Sequence, residues 1–213
     1  MDGTLYDQKK LRVLMARDLL FHSLKTMSFG VVGVLKAYRE IRERLGNEEV
    51  FDFEPKLVEE VAVACRTSPD IVSEIVSEWI NNRPVPYVKS CRFKGVQALF
   101  ENLQRHGKLV GILSDYPALS KAEALGIRAD FIVCANDHPV KVLKPNTRGL
   151  SHIMSVAGVT ADATVMIGDR IERDGYAARR LGVRALIKSS KEIPDWKTFV
   201  TYDDAIFEGI LAT

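Results

Sequence analysis

Short apolar runs alternating with helical stretches dominate the second half of this 213-residue chain, and they restrict its fold more than any other feature. The runs cover residues 108–113, 131–135, 164–167 and 184–187, and stretches of helical period such as 150–156 and 176–181 lie between them. The last of these stretches is followed by Gly182, the residue type that closes a helix because it enters the left-handed region freely. Strands joined by helices pair in parallel, with helices on both faces of the sheet. Ligands of such sheets bind at the carboxyl ends of the strands, so polar residues that follow the apolar runs are the first candidates for a site.

The first part of the chain has a different period. Leu11, Leu14, Met15, Leu19 and Leu20 recur at helical spacing, as do Val34, Leu35, Tyr38, Ile41 and Leu45. A third helix runs through Leu57, Val61 and Ala64. A fourth starts at Ser68-Pro69, a capping residue followed by proline in the first turn, and continues through Ile71, Ile75 and Trp79. Arg83-Pro84-Val85-Pro86 then punctuates the chain. Arg39, Arg42 and Arg44 interleave with Glu40 and Glu43, which reads as a solvated helix face. Residues 7–88 are expected to form an all-helical unit, and residues 89–213 the α/β part.

With 46% hydrophobic and 27% charged residues, the chain can bury a full core. Its net charge of +2 is spread along the sequence, so no basic stripe points to nucleic acid or an anionic membrane. The longest apolar-looking stretch, 29–35, contains two glycines and stops at Lys36, far short of a bilayer span. No basic-then-apolar leader opens the chain, and a cytoplasmic location is expected. Cys65, Cys91 and Cys134 lack CxxC spacing and read as reduced, small hydrophobes.

Four polar constellations sit at or beside strand ends. The chain opens Met1-Asp2-Gly3-Thr4-Leu5-Tyr6, and Ser114 and Asp115 follow the first apolar run. Lys144-Pro145 precedes a helix, and Val165-Met166-Ile167 leads into Gly168-Asp169 with Asp174 five residues on. Each has an ordinary structural reading: Ser114 as a turn residue, Asp115 as the cap of the next helix, Asp174 as another cap, and Lys141 as an alternative to Lys144. The proline directly after Lys144, placed at the start of the next helix, favours Lys144. His22, His106, His138 and His152 have no metal-ligand spacing.

In this order, DGTLY, strand-Ser, Lys-Pro and strand-GDxxxxD resemble the motifs of the haloacid dehalogenase (HAD) superfamily, over about residues 1–6 and 89–190. The resemblance implies an α/β fold with a Rossmann-like parallel sheet, a core of residues 1–6 and 89–213, and a helical cap at 7–88. It makes Asp2 the acid/base and places the nucleophilic aspartate just before Met1. Ser114 would bind a phosphoryl oxygen, and Lys144 would neutralise phosphate and nucleophile. Mg²⁺ would be held by Asp169, Asp174 and the backbone carbonyl of Asp2, since this ion keeps several waters and takes few protein ligands.

An acid at the Asp2 place is found in the phosphatase branch and is absent from the dehalogenases and ion pumps, so a Mg²⁺-dependent phosphatase is expected. Its partner would be a small phosphorylated metabolite selected by the cap, with no nucleic acid or membrane, and the protein a monomer or small homo-oligomer. The family's first central strand is missing from this sequence. Met1 is therefore expected to be an internal methionine of a longer protein, and the 213 residues alone are expected to be impaired. The other reading is a catalytically inactive, phosphate-binding or scaffold protein.

Overall fold

The computed structural model describes residues 1–26 and 30–212. Five helices come first: α1 (Gln8–Thr26), α2 (Gly30–Asn47), α3 (Phe53–Cys65), α4 (Pro69–Val76), prolonged by a π-helical turn at Ser77–Asn82, and α5 (Val85–Cys91). Asp7 accepts backbone N–H bonds from Lys9 and Lys10 at the start of α1. Ser68 caps α4 as its sequence implies, its Oγ accepting the N–H of Ile71 at 3.3 Å with Pro69 in the first turn. Val34, Leu35, Tyr38 and Leu45 of α2 pack on Phe53, Leu57 and Val61 of α3 and on Val72, Val76 and Trp79 beyond them. Ala135 and Leu143, from the later part of the chain, complete this cluster.

Two expectations for this region are corrected. Leu20 is 55% exposed, and Phe21 and Leu24 are exposed beside it, so the apolar period of α1 is not wholly turned inward. Arg42 is buried rather than solvated, because α2 turns it into a pocket between the Tyr38, Phe53 and Tyr116 rings. The Arg83–Pro86 segment separates two helical pieces, as its prolines imply, and α5 begins at Val85. Of the apolar stretch 29–35, residue 29 lies outside the described residues and the rest belongs to α2.

The α/β part adds α6 (Val96–Arg105), β1 (Gly111–Ser114), α7 (Leu119–Leu125), β2 (Phe131–Cys134) and α8 (Arg148–Ala157). It continues with β3 (Val165–Gly168), a π-helical turn at Ile171–Gly175, α9 (Tyr176–Arg180), β4 (Arg184–Lys188), β5 (Lys197–Phe199) and α10 (Glu208–Ala212). Every strand pair is parallel, as strands joined by helices require: β1 with β2, and β3 with β4 and β4 with β5. Gly182 closes α9 with φ 70°, its N–H reaching the Arg179 carbonyl.

The strands form two sheets, β1-β2 and β3-β4-β5, and among the described residues no strand pairs with the remaining edge of β1 or of β3. Both sheets share the same covering layers. Ile112 and Leu186 belong to one apolar cluster, with Val165 and Ile167 packed on it. Leu113, Val133, Met166 and Val183 belong to the cluster on the other face. The opening segment is tied into the first cluster by Met1, Leu5 and Tyr6, and Tyr202 donates to the Thr4 carbonyl at 2.6 Å.

Candidate active site

Asp2, Ser114, Lys144, Asp169 and Asp174 line one cleft, together with Met1 and Asp115. The topology explains their convergence. Ser114 ends β1 and Asp169 lies just past β3, so both sit at the carboxyl ends of strands in sheets that share their covering layers, where ligands of parallel α/β sheets bind. The turn at Met1–Tyr6 is anchored in the first of these layers, with Asp2 in the lining of the same cleft.

Lys144 is buried, and its Nζ donates to Asp174 Oδ1 at 2.7 Å, with Asp115 Oδ2 at 3.9 Å. Burial by itself would lower the lysine pKa; the charges of Asp115 and then Asp174 overcome this and hold it above the usual value. Asp174 is likewise buried, yet Lys144 holds its carboxyl below the usual range. Its second oxygen accepts the N–H groups of Asp169 and Arg170, both at 3.2 Å, so this carboxylate fixes the loop after β3 as well as the lysine. Gly168 is required here, because a Cβ on it would overlap the Asp174 side chain.

Two local expectations are corrected in this loop. Asp115 does not cap α7; its Oδ1 accepts the Lys144 backbone N–H at 3.1 Å and so joins the β1 loop to the lysine loop. Pro145 does not start a helix: α8 begins at Arg148, where Asn146 Oδ1 accepts the N–H of Arg148. Lys141, the competing lysine, pairs with Asp52 at 3.1 Å and is not in the cleft lining.

Asp169 Oδ1 accepts the Thr4 hydroxyl at 2.7 Å, and among the described residues no cation pairs with it. Burial is the main cause of its raised pKa, and the Asp174 charge adds to it. Gly3, at φ 80°, leaves room for this carboxylate where any side chain would collide with it. Asp2 is held on its own side of the cleft by Lys121, whose Nζ is 3.0 Å from Oδ1, and by the Tyr6 hydroxyl, which donates to the same oxygen. Burial opposes the charge of Asp2, but Lys121 keeps its pKa below the usual carboxylate value.

Lys121 was not singled out from the sequence, although a signal existed. It shares the buried stripe Ala118, Ala122 and Leu125 of α7, an apolar position occupied by a lysine. Glu43 of α2, which the sequence places only on a solvated helix face, has a part in the site as well. It accepts both guanidinium nitrogens of Arg170, at 2.7 and 2.9 Å, and Arg173 at 2.8 Å, so α2 is clamped to the loop that carries Asp169 and Asp174. Arg42 donates to the Asp115 carbonyl and thus binds the same helix to the β1 loop.

A model of the haloacid dehalogenase-like hydrolase family matches residues 1–182. The chain belongs to the HAD-like hydrolases. Solved structures with this fold include the 2-haloacid dehalogenase of Pseudomonas syringae pv. tomato, at TM-score 0.67 and 16% identity over 100% of this chain and 95% of that one. The putative HAD-hydrolase YfnB of Bacillus subtilis, bound to magnesium, matches at TM-score 0.70 and 13% identity over 99% and 95%. A phosphoglycolate phosphatase, so predicted, from Haemophilus somnus matches at 0.53 and 14% over 84% and 90%. No curated protein matches the chain. HAD-like hydrolases with this fold thus include both dehalogenases and phosphatases.

The acidic set of this HAD-like hydrolase suits a hard divalent cation in one respect. Among the described residues no three His, Cys, Asp or Glu side chains stand together as a ligand group. Mg²⁺, however, takes few protein ligands, and Asp169 is a largely buried carboxylate with no cation partner among the described residues. Asp169 with Asp174 and the Asp2 carbonyl could hold such an ion. No helix among the described residues is long and apolar enough to cross a membrane.

Proposed function

We propose that this HAD-like hydrolase is a Mg²⁺-dependent phosphatase of small phosphomonoesters, acting through an aspartyl-phosphate. In this reading the nucleophilic carboxylate belongs to the residue joined to the Met1 nitrogen. One observation carries it: that nitrogen is buried in the cleft, close enough to Lys144, Asp174, Asp2 and Asp169 for their charges to act on it. A preceding residue would enter the cleft that Met1 lines, and a strand before it could pair with an edge of β1 or β3 that no described strand occupies. The DGT turn, with an acid at Asp2, supports the phosphatase rather than the dehalogenase branch.

The residues present then have definite tasks. The Ser114 Oγ accepts the Tyr116 N–H at 3.2 Å, which leaves its own proton to donate to a phosphoryl oxygen. Lys144 faces the same space with a fixed positive charge that offsets the charge on nucleophile and phosphoryl group. Asp2, which Lys121 holds ionised in this structure, first takes up a proton, then protonates the departing alkoxide as the P–O bond breaks, and finally takes a proton from the water that attacks the acyl phosphate. Mg²⁺, when bound by Asp169, Asp174 and the Asp2 carbonyl, supplies further charge neutralisation.

The helical unit 7–88 serves as the cap that shields this chemistry from water. A cytoplasmic location agrees with the three unpaired cysteines. The test is turnover of an aryl phosphate by the 213 residues and by a chain extended with an apolar strand ending in Asp before Met1. The extended chain is expected to turn over with Mg²⁺ and to lose activity when that Asp becomes Asn, and the 213 residues alone to be inactive. Turnover by the 213 residues that vanishes in Asp2→Asn would overturn this assignment of the nucleophile. Phosphate binding without turnover in the extended chain would favour the inactive, phosphate-binding alternative.

A further inference from the structure

The cations of the cleft fall into two groups. Lys144 is neutralised by Asp174 and Asp115, and Arg170 and Arg173 by Glu43; Lys121, behind the lining, is paired with Asp2. Arg12, on the first turns of α1, lines the same cleft and has no carboxylate partner among the described residues. Its guanidinium donates to Gln8 Oε1 at 3.2 Å, and Gln8 is itself part of the lining. That bond occupies the acceptor of the Gln8 amide and leaves its NH₂ group as a donor. Arg39, on α2, also lacks a carboxylate among the described residues, and it lies near enough for the Arg12 charge to act on it. The α1 side of the cleft therefore offers donors and a guanidinium without a carboxylate partner, whereas the other side-chain cations that line the cleft, Lys144, Arg170 and Arg173, are all paired.

We infer that Arg12, with Gln8 beside it, binds an anionic group on the leaving alcohol, so that the substrate is a phosphomonoester that also carries a carboxylate. This rests on the phosphatase reading and adds the substrate class. A planar guanidinium meets a carboxylate with two parallel N–H···O bonds, and the Gln8 amide can supply a further donor. A neutral alcohol would leave these groups facing water alone. Selection by this end of the cleft is separate from capture of the phosphoryl group by Ser114 and Lys144, and the two can be tested apart.

The experiment is calorimetric titration of the 213-residue chain with Mg²⁺ present, comparing propyl phosphate with 3-phosphonooxypropionate, an ester of equal carbon count that ends in a carboxylate. The carboxylated ester is expected to bind about tenfold more tightly, as one charge-assisted contact allows. Arg12→Gln should reduce that ratio to below about threefold, and Arg12→Lys should lie between. Equal affinities in the unaltered protein, or a ratio that Arg12→Gln leaves unchanged, would overturn the inference. Lys144→Ala and Ser114→Ala test the other end and should weaken both esters alike. If neither does so while both variants retain their circular dichroism, the phosphatase site itself is misplaced and the inference falls with it. A changed ratio with intact phosphate capture bears on Arg12 alone.

Discussion

Asp2 and Lys121 show how much of this site depends on buried charge. The two side chains are 14% and 5% exposed at 3.0 Å, and removing one partner strands the other in a poorly solvated place. Asp2→Asn is therefore expected to cost about 3–5 kcal/mol of stability in urea unfolding, and the double variant Asp2→Asn/Lys121→Met to recover most of that loss. Losses below about 1 kcal/mol in the single variant would mean that the pair is solvent-exposed. Glu43 gives a test through pH. Hydrogen bonds from Arg170, followed by those from Arg173, depress its pKa to about 2 from 4.5. A depressed carboxyl stabilises the folded state above its unfolded pKa and loses that contribution as pH falls through the folded one. The stability difference between the protein and Glu43→Gln should be full above about pH 4.5 and fade as pH falls toward 2. A difference that grows on acidification would show that Glu43 is not clamped by the two arginines.

At the scale of elements, α4 and α2 illustrate two different sources of helix placement. The start of α4 is local: one serine oxygen satisfies an N–H of the first turn, so Ser68→Ala should cost about 0.5–2 kcal/mol and Ser68→Asp nearly nothing. For a chain of this size that loss lowers the melting temperature by about 2–4 °C per kcal/mol, measurable by calorimetry. No change on Ser68→Ala would mean that Pro69 alone sets the helix start. The position of α2 is instead tertiary. Arg42 reaches the Asp115 carbonyl and Glu43 reaches Arg170 and Arg173, so one turn of this helix grips both loops that frame the cleft. Leu57 of α3 is fully buried in the cluster that packs α3 on α2, and Leu57→Ala should cost about 2–5 kcal/mol in the same unfolding experiment.

In the whole molecule the open edges of β1 and β3 are the weak line. β4 is paired on both sides, whereas β1 and β3 each have one partner among the described strands. Hydrogen exchange should accordingly be slowest in β4 and faster in β1 and β3, because an unpaired strand edge opens with less loss of structure. Addition of the upstream strand proposed above should slow β1 and β3 selectively. Equal protection of all five strands before the addition would show that those edges are already covered, and would remove the structural support for a strand between them.

Chain order alone determined which residues could meet. Asp2, Ser114, Lys144, Asp169 and Asp174 each lie beside an apolar run or a turn signal, and a parallel sheet sends the ends of its strands to one side whatever the intervening residues are. The alternation after residue 108 was enough to specify parallel pairing, and Ser68-Pro69 was enough to start α4. Tertiary structure decided the charges. Lys121 lies 119 residues from Asp2, Arg42 lies 73 from Asp115, and Glu43 lies 127 and 130 from its two arginines. A periodic pattern reports only which face of an element a residue occupies. Whether a charged residue on that face is solvated or buried depends on the partner that packing brings to it, which is why Arg42 read as a surface residue and proved to be buried.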